Sequence, residues 1–249
     1  MVQPVDPRRR RPGLRAQGDH RLHRRGSAAV RRRCVGNRVA GNGYRLPDPV
    51  RAFLGVAVTE PALAAAVSLL AELRREVADV RWVRDEGLHL TIHFFGALPA
   101  DRLDAAVAAV APAAAATSPF RVRLAGPGSF PGGRRERVLW IGASEGTAEM
   151  AALAGRCTAG LAATGFAVEE RPFRAHCTLG RPRGTALSAA ARGAWEQAAA
   201  ASLPAFTADR LTLYESVPAQ GGPLYVPRAE AGFGQAGSAS AGFGAGTGA

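Results

Sequence analysis

The sequence contains two copies of a His-x-Thr tripeptide, each inside an apolar run of β-prone residues. The first copy contains His89 and Thr91, and the second contains His176 and Thr178. Because side chains alternate between the two faces of a strand, the members of each pair point the same way, about 6–7 Å apart. An imidazole can transfer a proton near neutral pH, and a neighbouring hydroxyl can stabilise an oxyanion. Two such strands facing one another would form a symmetric site suited to a cyclic or bridging phosphate.

The elements around these motifs alternate between strands and helices. Period-two patterns predict strands at 51–58, 88–95, 120–124, 137–141, 174–180, 207–216 and 224–228. Helical periodicity predicts helices at 60–78, 101–116, 147–164 and 188–201. Each motif lies just ahead of a helix and a strand-rich stretch, which indicates an internal duplication. We therefore expect an α+β protein of two pseudo-symmetric lobes, each an antiparallel sheet with helices on its outer face, facing across a central cleft.

Low-complexity segments flank this predicted domain, which spans residues 51–230. Residues 1–50 carry 13 of the 32 arginines and only three acids, whereas the rest of the chain is close to neutral. Since this segment has no hydrophobic periodicity, we expect a disordered Arg-rich extension; the alternative is a basic arm that contacts RNA. Residues 231–249 repeat Ala-Gly-Phe-Gly among Gly, Ala and Ser, which predicts a flexible Gly/Ala-rich tail.

The cysteine count and the length of the apolar runs indicate where in the cell the protein is located. Cys34, Cys157 and Cys177 are an odd number without metal-ligand spacing, which favours a reducing, cytoplasmic location. No apolar run approaches the ~20 residues of a membrane span, so we expect no membrane partner. The chain contains no lysine, which excludes Schiff-base chemistry and a phosphate-loop lysine.

Several segments, in the right order, resemble the two-histidine phosphoesterases, and specifically their RNA 2′,3′-cyclic phosphodiesterase branch, once called 2′-5′ RNA ligases. The resembling segments are RAFLGVA at 51–57, LHLTIHFFG at 88–96, RVLWIG at 137–142 and FRAHCTLGR at 173–181. One departure is Ala175, which stands where the family usually has a proline that would stiffen the entry to the strand. One His-x-Thr would be weak evidence, but two with these flanks are specific.

The resemblance implies an activity and a role for each site residue. It implies metal-independent hydrolysis of RNA or nucleotide 2′,3′-cyclic phosphate ends to 2′-phosphates, by a monomer without a cofactor. His89 would protonate the departing 3′ oxygen, and His176 would act as the base that activates water. Thr91 and Thr178 would donate hydrogen bonds to phosphate oxygens. Arg181 would pair with the phosphate through its planar guanidinium.

Strict alternation places three further residues. His93 would share the face of His89 but lie about 13 Å from it, too far to share a metal ion, so we expect an auxiliary cleft residue or a packed one. Cys177 would face the core and be structural rather than nucleophilic. Arg181 would point away from the site unless the strand ends or bends near Gly180.

Two further features could contact RNA. Trp82 and Trp140 could stack on a base, although aromatic residues beside strands more often belong to the core. The Gly/Pro loop at 126–133, with the arginines that follow it, could contact phosphates or be a solvated basic loop.

Two other functions fit the same residues. 2′-5′ RNA ligation is the reverse chemistry, in which a 5′-hydroxyl replaces water; hydrolysis should dominate unless the site excludes water and positions the 5′ end. A non-catalytic RNA- or nucleotide-binding module is the other alternative, and the two intact His-x-Thr pairs argue against it.

Overall fold

An antiparallel sheet forms the framework of the computed structural model. The model describes residues 48–130, 137–184, 187–234 and 244–245, all within one unit, Val39–Ala249. The strands are β1 (Val50–Ala57), β2 (Val80–Trp82), β3 (His89–Leu98), β4 (Phe120–Phe130), β5 (Val138–Glu145), β6 (His176–Pro182), β7 (Phe206–Ala208), β8 (Arg210–Val217), β9 (Leu224–Gly232) and β10 (Gly244–Ala245). The helices are α1 (Ala62–Glu76), α2 (Leu103–Ala115), α3 (Thr147–Ala163) and α4 (Ala189–Ala198).

The strand order is β10-β9-β8-β1-β3-β6-β5-β4-β7, with β2 paired to β6, and every pair is antiparallel. The α+β class is therefore confirmed. Strands β9, β8, β1 and β3 form one half of the sheet, and β6, β5, β4 and β7 form the other. The two halves are joined edge to edge where β3 meets β6, so the predicted lobes share one curled sheet.

One face of the sheet packs on the helices, and the other carries the two His-x-Thr motifs. We call these the helix face and the cleft face. In β1, for example, Ala52, Leu54 and Val56 are buried in the hydrophobic core, whereas Phe53 and Gly55 point toward His89 on the cleft face. Helix α1 contributes its apolar stripe to the same core, because positions three and four apart lie on one side of a helix. Within the described residues, no helix is both long enough and apolar enough to cross a membrane.

Three predicted boundaries differ from the structure. The predicted end of β3 is Gly96, but the strand continues to Leu98, and Gly96 adopts a φ of +69° beside an irregularity in the β1–β3 pairing. Residues 126–130, predicted as a loop, belong to β4, and residues 131–136 lie outside the described residues. Strand β9 runs to Gly232, and Phe233 is buried against the core, so residues 231–234 pack with the domain. Residues 1–47 and most of the predicted tail lie outside the described residues.

Candidate active site

The two His-x-Thr motifs meet where β3 and β6 join. Leu90 and Cys177, the middle residues of the two motifs, are register partners, and both are fully buried on the helix face. In an antiparallel pair, the residues on either side of such partners also face one another. His89 therefore lies opposite Thr178, and Thr91 lies opposite His176. Each imidazole has a hydroxyl beside it on its own strand and another on the neighbouring strand.

Both imidazoles are held in the same way by the backbone. The Nδ1 atom of His89 lies 2.7 Å from the carbonyl oxygen of Gly87, and Nδ1 of His176 lies 2.7 Å from that of Arg174. A carbonyl oxygen only accepts hydrogen bonds, so Nδ1 carries a proton in both rings and Nε2 is the atom that gains or loses one. The Nε2 atom of His89 lies 3.1 Å from the hydroxyl oxygen of Thr91. Both histidines thus use Nε2 for any proton transfer in the cleft.

Aromatic rings from β1, β8 and β9 enclose His89, and that of Tyr214 on β8 lies 5.9 Å from the imidazole. Phe53 stacks on the imidazole with ring centroids 4.6 Å apart, and Tyr225 meets it edge-on at 5.0 Å. Two glycines provide the space: a Cβ at Gly55 would lie 3.3 Å from Cδ2 of His89, and one at Gly87 would lie 3.1 Å from the Tyr225 ring. This packing orients the imidazole and removes much of its contact with water.

His176 has an equivalent enclosure from the other half of the sheet. Phe130 meets its ring edge-on at 5.0 Å, and Trp140 lies at 5.7 Å. The guanidinium of Arg174 lies over the Trp140 ring, 4.4 Å from its centroid, a cation–π contact. Gly128 makes room for Trp140, because a Cβ there would overlap the indole. Glycine at this position therefore keeps the Trp140 ring beside His176.

Burial lowers the pKa of both imidazoles. The pKa of His89 falls to about 4, chiefly through burial; the hydrogen bond to Gly87 opposes the shift, and the nearby His176 charge adds to it. Burial is also the main cause of the lowered pKa of His176; its bond to the Arg174 carbonyl opposes this, and the Arg174 charge adds to it. Both rings are therefore largely neutral at pH 7 before a ligand binds. A bound phosphate would raise both pKa values, because negative charge favours the imidazolium.

A β-bulge in β6 places Arg181 on the cleft face. Thr178 and Gly180 pair with two consecutive residues of β5, so Leu179 is an extra residue and the alternation shifts by one position. Gly180 then faces the helix side, where a Cβ would lie 2.7 Å from the buried ring of Trp82. Arg181 consequently points to the same side as Thr178 and is exposed. The irregularity near Gly180 is the condition under which Arg181 was expected to reach the cleft face.

A matching bulge in β3 corrects the prediction for His93. Thr91 and His93 pair with two consecutive residues of β1, so Ile92 is the extra residue. His93 therefore does not share the face of His89. It is buried on the helix side with its ring 4.8 Å from that of Phe95, and burial lowers its pKa. Strict alternation failed here because one additional residue reverses the face of everything after it.

The same bulge brings Phe94 to the cleft face. Its side chain is 59% exposed, and its ring centroid lies 5.9 Å from that of Phe53. Phe94 and Arg181 occupy equivalent positions, each five residues after the histidine of its motif and just beyond a bulge. One half of the site thus offers an aromatic ring where the other offers a cation.

Three further side chains that the sequence analysis considered, Cys177, Trp82 and Trp140, are all buried. Cys177 is buried on the helix face, as alternation predicts, and burial raises the pKa of its thiol to about 12, so the thiol stays protonated at neutral pH. Trp82 is buried in the hydrophobic core, as expected, whereas Trp140 is buried on the cleft face, where its ring packs beside those of Phe130 and His176. Among the described residues, no group of three or more potential metal ligands comes together.

Several contributors to the site were missed by the sequence analysis. Tyr225 and Phe130 contact the imidazoles from strands remote in sequence from the motif they enclose, so only the sheet order reveals them. Phe53 and Phe94 lie within two of the segments that carry the family resemblance. These two residues could have been found from the sequence. Pairing the first motif with β1 in an antiparallel register is the signal that would have indicated both.

Comparison with known proteins agrees with this geometry. The model of the 2′-5′ RNA ligase superfamily matches residues 59–218. An RNA 2′,3′-cyclic phosphodiesterase from Geobacillus stearothermophilus is 30% identical over 129 residues, which are 52% of this chain and 41% of the relative. One from Aeropyrum pernix is 33% identical over 122 residues, 47% of this chain and 68% of the relative. The chain thus spans less than half the length of the Geobacillus relative.

Solved structures show the same fold. A crystal structure of a Thermus thermophilus protein superimposes with a TM-score of 0.60 at 25% identity, covering 72% of this chain and 96% of that one. Apo LigT of Escherichia coli gives a TM-score of 0.59 at 22% identity, covering 76% and 99%. The resemblance drawn from the two motifs is confirmed, and the chain belongs to the 2′-5′ RNA ligase superfamily.

Proposed function

We propose that this protein hydrolyses 2′,3′-cyclic phosphate ends of RNA or nucleotides to 2′-phosphates, without a metal ion. The observation that carries the proposal is the register at Leu90 and Cys177, which sets the two imidazoles diagonally across the β3–β6 junction, each opposite a threonine hydroxyl. Both imidazoles use Nε2 in the cleft, because both Nδ1 atoms are bound to carbonyl groups. The relatives named RNA 2′,3′-cyclic phosphodiesterase support the same reaction.

The reaction is an in-line displacement at phosphorus. Water attacks as Nε2 of His176 takes its proton, a new P–O bond forms, and the bond from phosphorus to the 3′ oxygen breaks. The departing oxygen takes the proton on Nε2 of His89, which leaves a 2′-phosphate and a free 3′-hydroxyl. Each transfer by a positioned group typically contributes about 10²–10⁴ in rate. The proton then returns from His176 to His89 through solvent, and the cycle can repeat.

Three side chains bind the phosphate in this mechanism. Thr91 and Thr178 lie between the two imidazoles in the register and donate hydrogen bonds to the non-bridging oxygens, where charge increases during attack. Arg181, on the same face as Thr178, pairs with those oxygens through its guanidinium fork. The phosphate in turn supplies the negative charge that allows His89 to hold a proton despite its burial.

The exposed ring of Phe94 suits the nucleoside part of such a substrate. A base has a π-face whatever its sequence, and stacking on an aromatic side chain is worth about 1–3 kcal/mol per base. Phe94 is 59% exposed on the cleft face, beside the Phe53 ring that stacks on His89. Recognition of a nucleotide therefore requires no rearrangement of the core.

The reaction is tested with a nucleoside 2′,3′-cyclic phosphate, with and without EDTA, and chromatography of the product. We expect a 2′-phosphate whose formation resists EDTA. His89→Ala and His176→Ala should each lower kcat by at least about two orders of magnitude, with KM little changed. A 3′-phosphate would contradict the assigned roles, metal dependence would contradict the mechanism, and full activity in both variants would contradict the site. If added 5′-hydroxyl RNA yields more 2′-5′-linked product than hydrolysis, ligation is the main reaction.

A substrate with a different leaving group distinguishes the roles of the two histidines. A substrate with sulfur in place of the 3′ oxygen releases a thiolate, which needs little assistance from an acid because thiols are far more acidic than alcohols. We expect this substrate to restore most of the activity lost in His89→Ala and none of that lost in His176→Ala. The opposite pattern would exchange the acid and the base.

A further inference from the structure

Three polar side chains form a row across β1, β8 and β9, at one end of the site. Ser216 of β8 is the register partner of Tyr225 of β9. Ala52 of β1 pairs with Glu215, so Arg51 lies opposite Ser216 when the same register continues by one residue. Because neighbouring strands lie about 4.8 Å apart, the three Cα atoms span about 10 Å.

All three side chains point to the cleft face. Arg51 lies two residues before Phe53, whose ring stacks on His89, and β1 carries no bulge between them, since the extra residue in this pairing belongs to β3. Tyr225 contacts the imidazole directly, with ring centroids 5.0 Å apart. Ser216, as its register partner, shares its face. The row therefore borders His89 without being part of the His-x-Thr motifs.

The row consists of hydrogen-bond donors with a positive charge at one end. A guanidinium, a hydroxyl and a phenol can all donate to an anionic oxygen. Arg51 is exposed, and among the described residues it forms no ion pair, whereas Arg210 and Arg228, on β8 and β9, each pair with a glutamate. Burial raises the pKa of Tyr225, and the positive charges of Arg181 and Arg51 oppose that rise.

The position of the row determines which part of a substrate would reach it. In the strand order, β8 and β9 lie beyond β1, on the side of His89 that is remote from His176. In the proposed reaction, His89 protonates the 3′ oxygen of the departing nucleoside. The nucleoside and whatever is attached to its 5′ oxygen therefore extend toward this row, while attacking water arrives from the side of His176.

We propose that Arg51, Ser216 and Tyr225 form a second phosphate subsite, which binds the phosphodiester on the 5′ side of the terminal nucleotide. This inference rests on the proposed function and narrows its substrate class to RNA ends rather than free cyclic mononucleotides. Arg51 supplies the positive charge and a pair of parallel hydrogen bonds from its guanidinium, and the hydroxyls of Ser216 and Tyr225 donate to the remaining phosphate oxygens.

The subsite is tested by the ratio of kcat/KM for two substrates. One is a nucleoside 2′,3′-cyclic phosphate with a free 5′-hydroxyl; the other is the dinucleotide that carries the same cyclic end. We expect the protein to prefer the dinucleotide at least about tenfold, as for one charge-assisted contact. Arg51→Gln should reduce that ratio toward one by raising KM for the dinucleotide, and Arg51→Lys should retain part of it. Arg75→Gln, which removes an exposed arginine from α1, is the matched control and should leave the ratio unchanged.

The possible outcomes distinguish failure of the proposed subsite from failure of the proposed reaction. Equal use of both substrates by the unaltered protein would overturn the subsite and leave the proposed function intact. An unchanged ratio in Arg51→Gln would overturn the role of this arginine, provided that its circular dichroism spectrum matches that of the parent. Failure to turn over either substrate would refute the proposed function, and the subsite with it. Ser216→Ala and Tyr225→Phe should each lower the ratio several-fold; if neither does, the row does not act as one site.

Discussion

Replacing His89 with glutamine should change how the stability of the protein depends on pH. Burial lowers the pKa of this imidazole from 6.5 to about 4. In the unfolded chain the ring binds a proton below about pH 6.5, whereas in the folded protein it does so only near pH 4. Between these values the unfolded state binds more protons, so folding stability falls as the pH falls.

The size of the effect follows from the two pKa values. Each unit of pKa corresponds to about 1.4 kcal/mol, and between pH 7 and pH 5 the linkage amounts to about 2 kcal/mol for this one group. The full difference of about 3 kcal/mol is reached only below about pH 4. His89→Gln removes this contribution, because an amide does not titrate. The parent should therefore lose about 2 kcal/mol more stability than the variant between pH 7 and pH 5.

Urea unfolding at both pH values measures the difference. The carboxylates and the more distant histidines are common to both proteins, so their contributions cancel in the comparison. His176 interacts with His89, but its charge is the smallest of the three causes of the His89 shift, so it changes the difference only slightly. Titration of the imidazole resonances by NMR provides an independent check: the signal lost in His89→Gln should have a midpoint near 4, and inorganic phosphate should raise it. Equal losses of stability in parent and variant, or a midpoint near 6.5, would refute the argument that burial controls this imidazole.

Three further substitutions test the surroundings of the histidines. Gly128→Ala would place a methyl group in the ring of Trp140, so we expect a lower melting temperature and, because that ring packs on His176, a lower kcat; thermal unfolding and turnover measure both. Phe94→Ala should raise KM for cyclic nucleotides several-fold while the melting temperature barely changes, since the side chain is 59% exposed; an unchanged KM would argue against stacking. Arg181→Lys keeps the charge but loses the fork, so kcat/KM should fall about tenfold, and an undiminished value would contradict bidentate binding.

Alternation along the strand was sufficient to predict that each histidine shares a face with the threonine of its motif. Within each tripeptide, only the middle residue lies between the histidine and the threonine, so a common face follows from strand geometry alone. That reasoning also placed Cys177 on the opposite face, where it is found. It failed at His93 because a bulge adds one residue to β3, and nothing in the local sequence marks that addition. The backbone pairing between β1 and β3 determines which face of the sheet His93 occupies.

The walls of the site depend on tertiary contacts that local propensity disfavours. Residues 126–130 contain three residues of types that weaken strands, Gly126, Pro127 and Gly128, and local propensity therefore predicts a loop. They form part of β4 because β5 pairs with them, and because glycine at 128 is what Trp140 requires. A sequence rule that penalises glycine in strands thus gives the wrong result where a large ring packs directly on the backbone.

The duplicated motifs do not make a symmetric site. The two halves agree in the histidine, the threonine, the carbonyl that holds Nδ1 and the bulge that follows, but they differ at the next cleft position, where one presents Phe94 and the other Arg181. A site with identical halves would bind a cyclic phosphate equally well in two opposite orientations, and either ring oxygen could then depart. A cation on one side and an aromatic ring on the other favour a single orientation, because the substrate itself carries charge at the phosphorus and a flat base at its far end. In the proposed reaction, the selectivity for one product would therefore arise from the residues after the motifs, whereas the motifs themselves would supply the proton transfers.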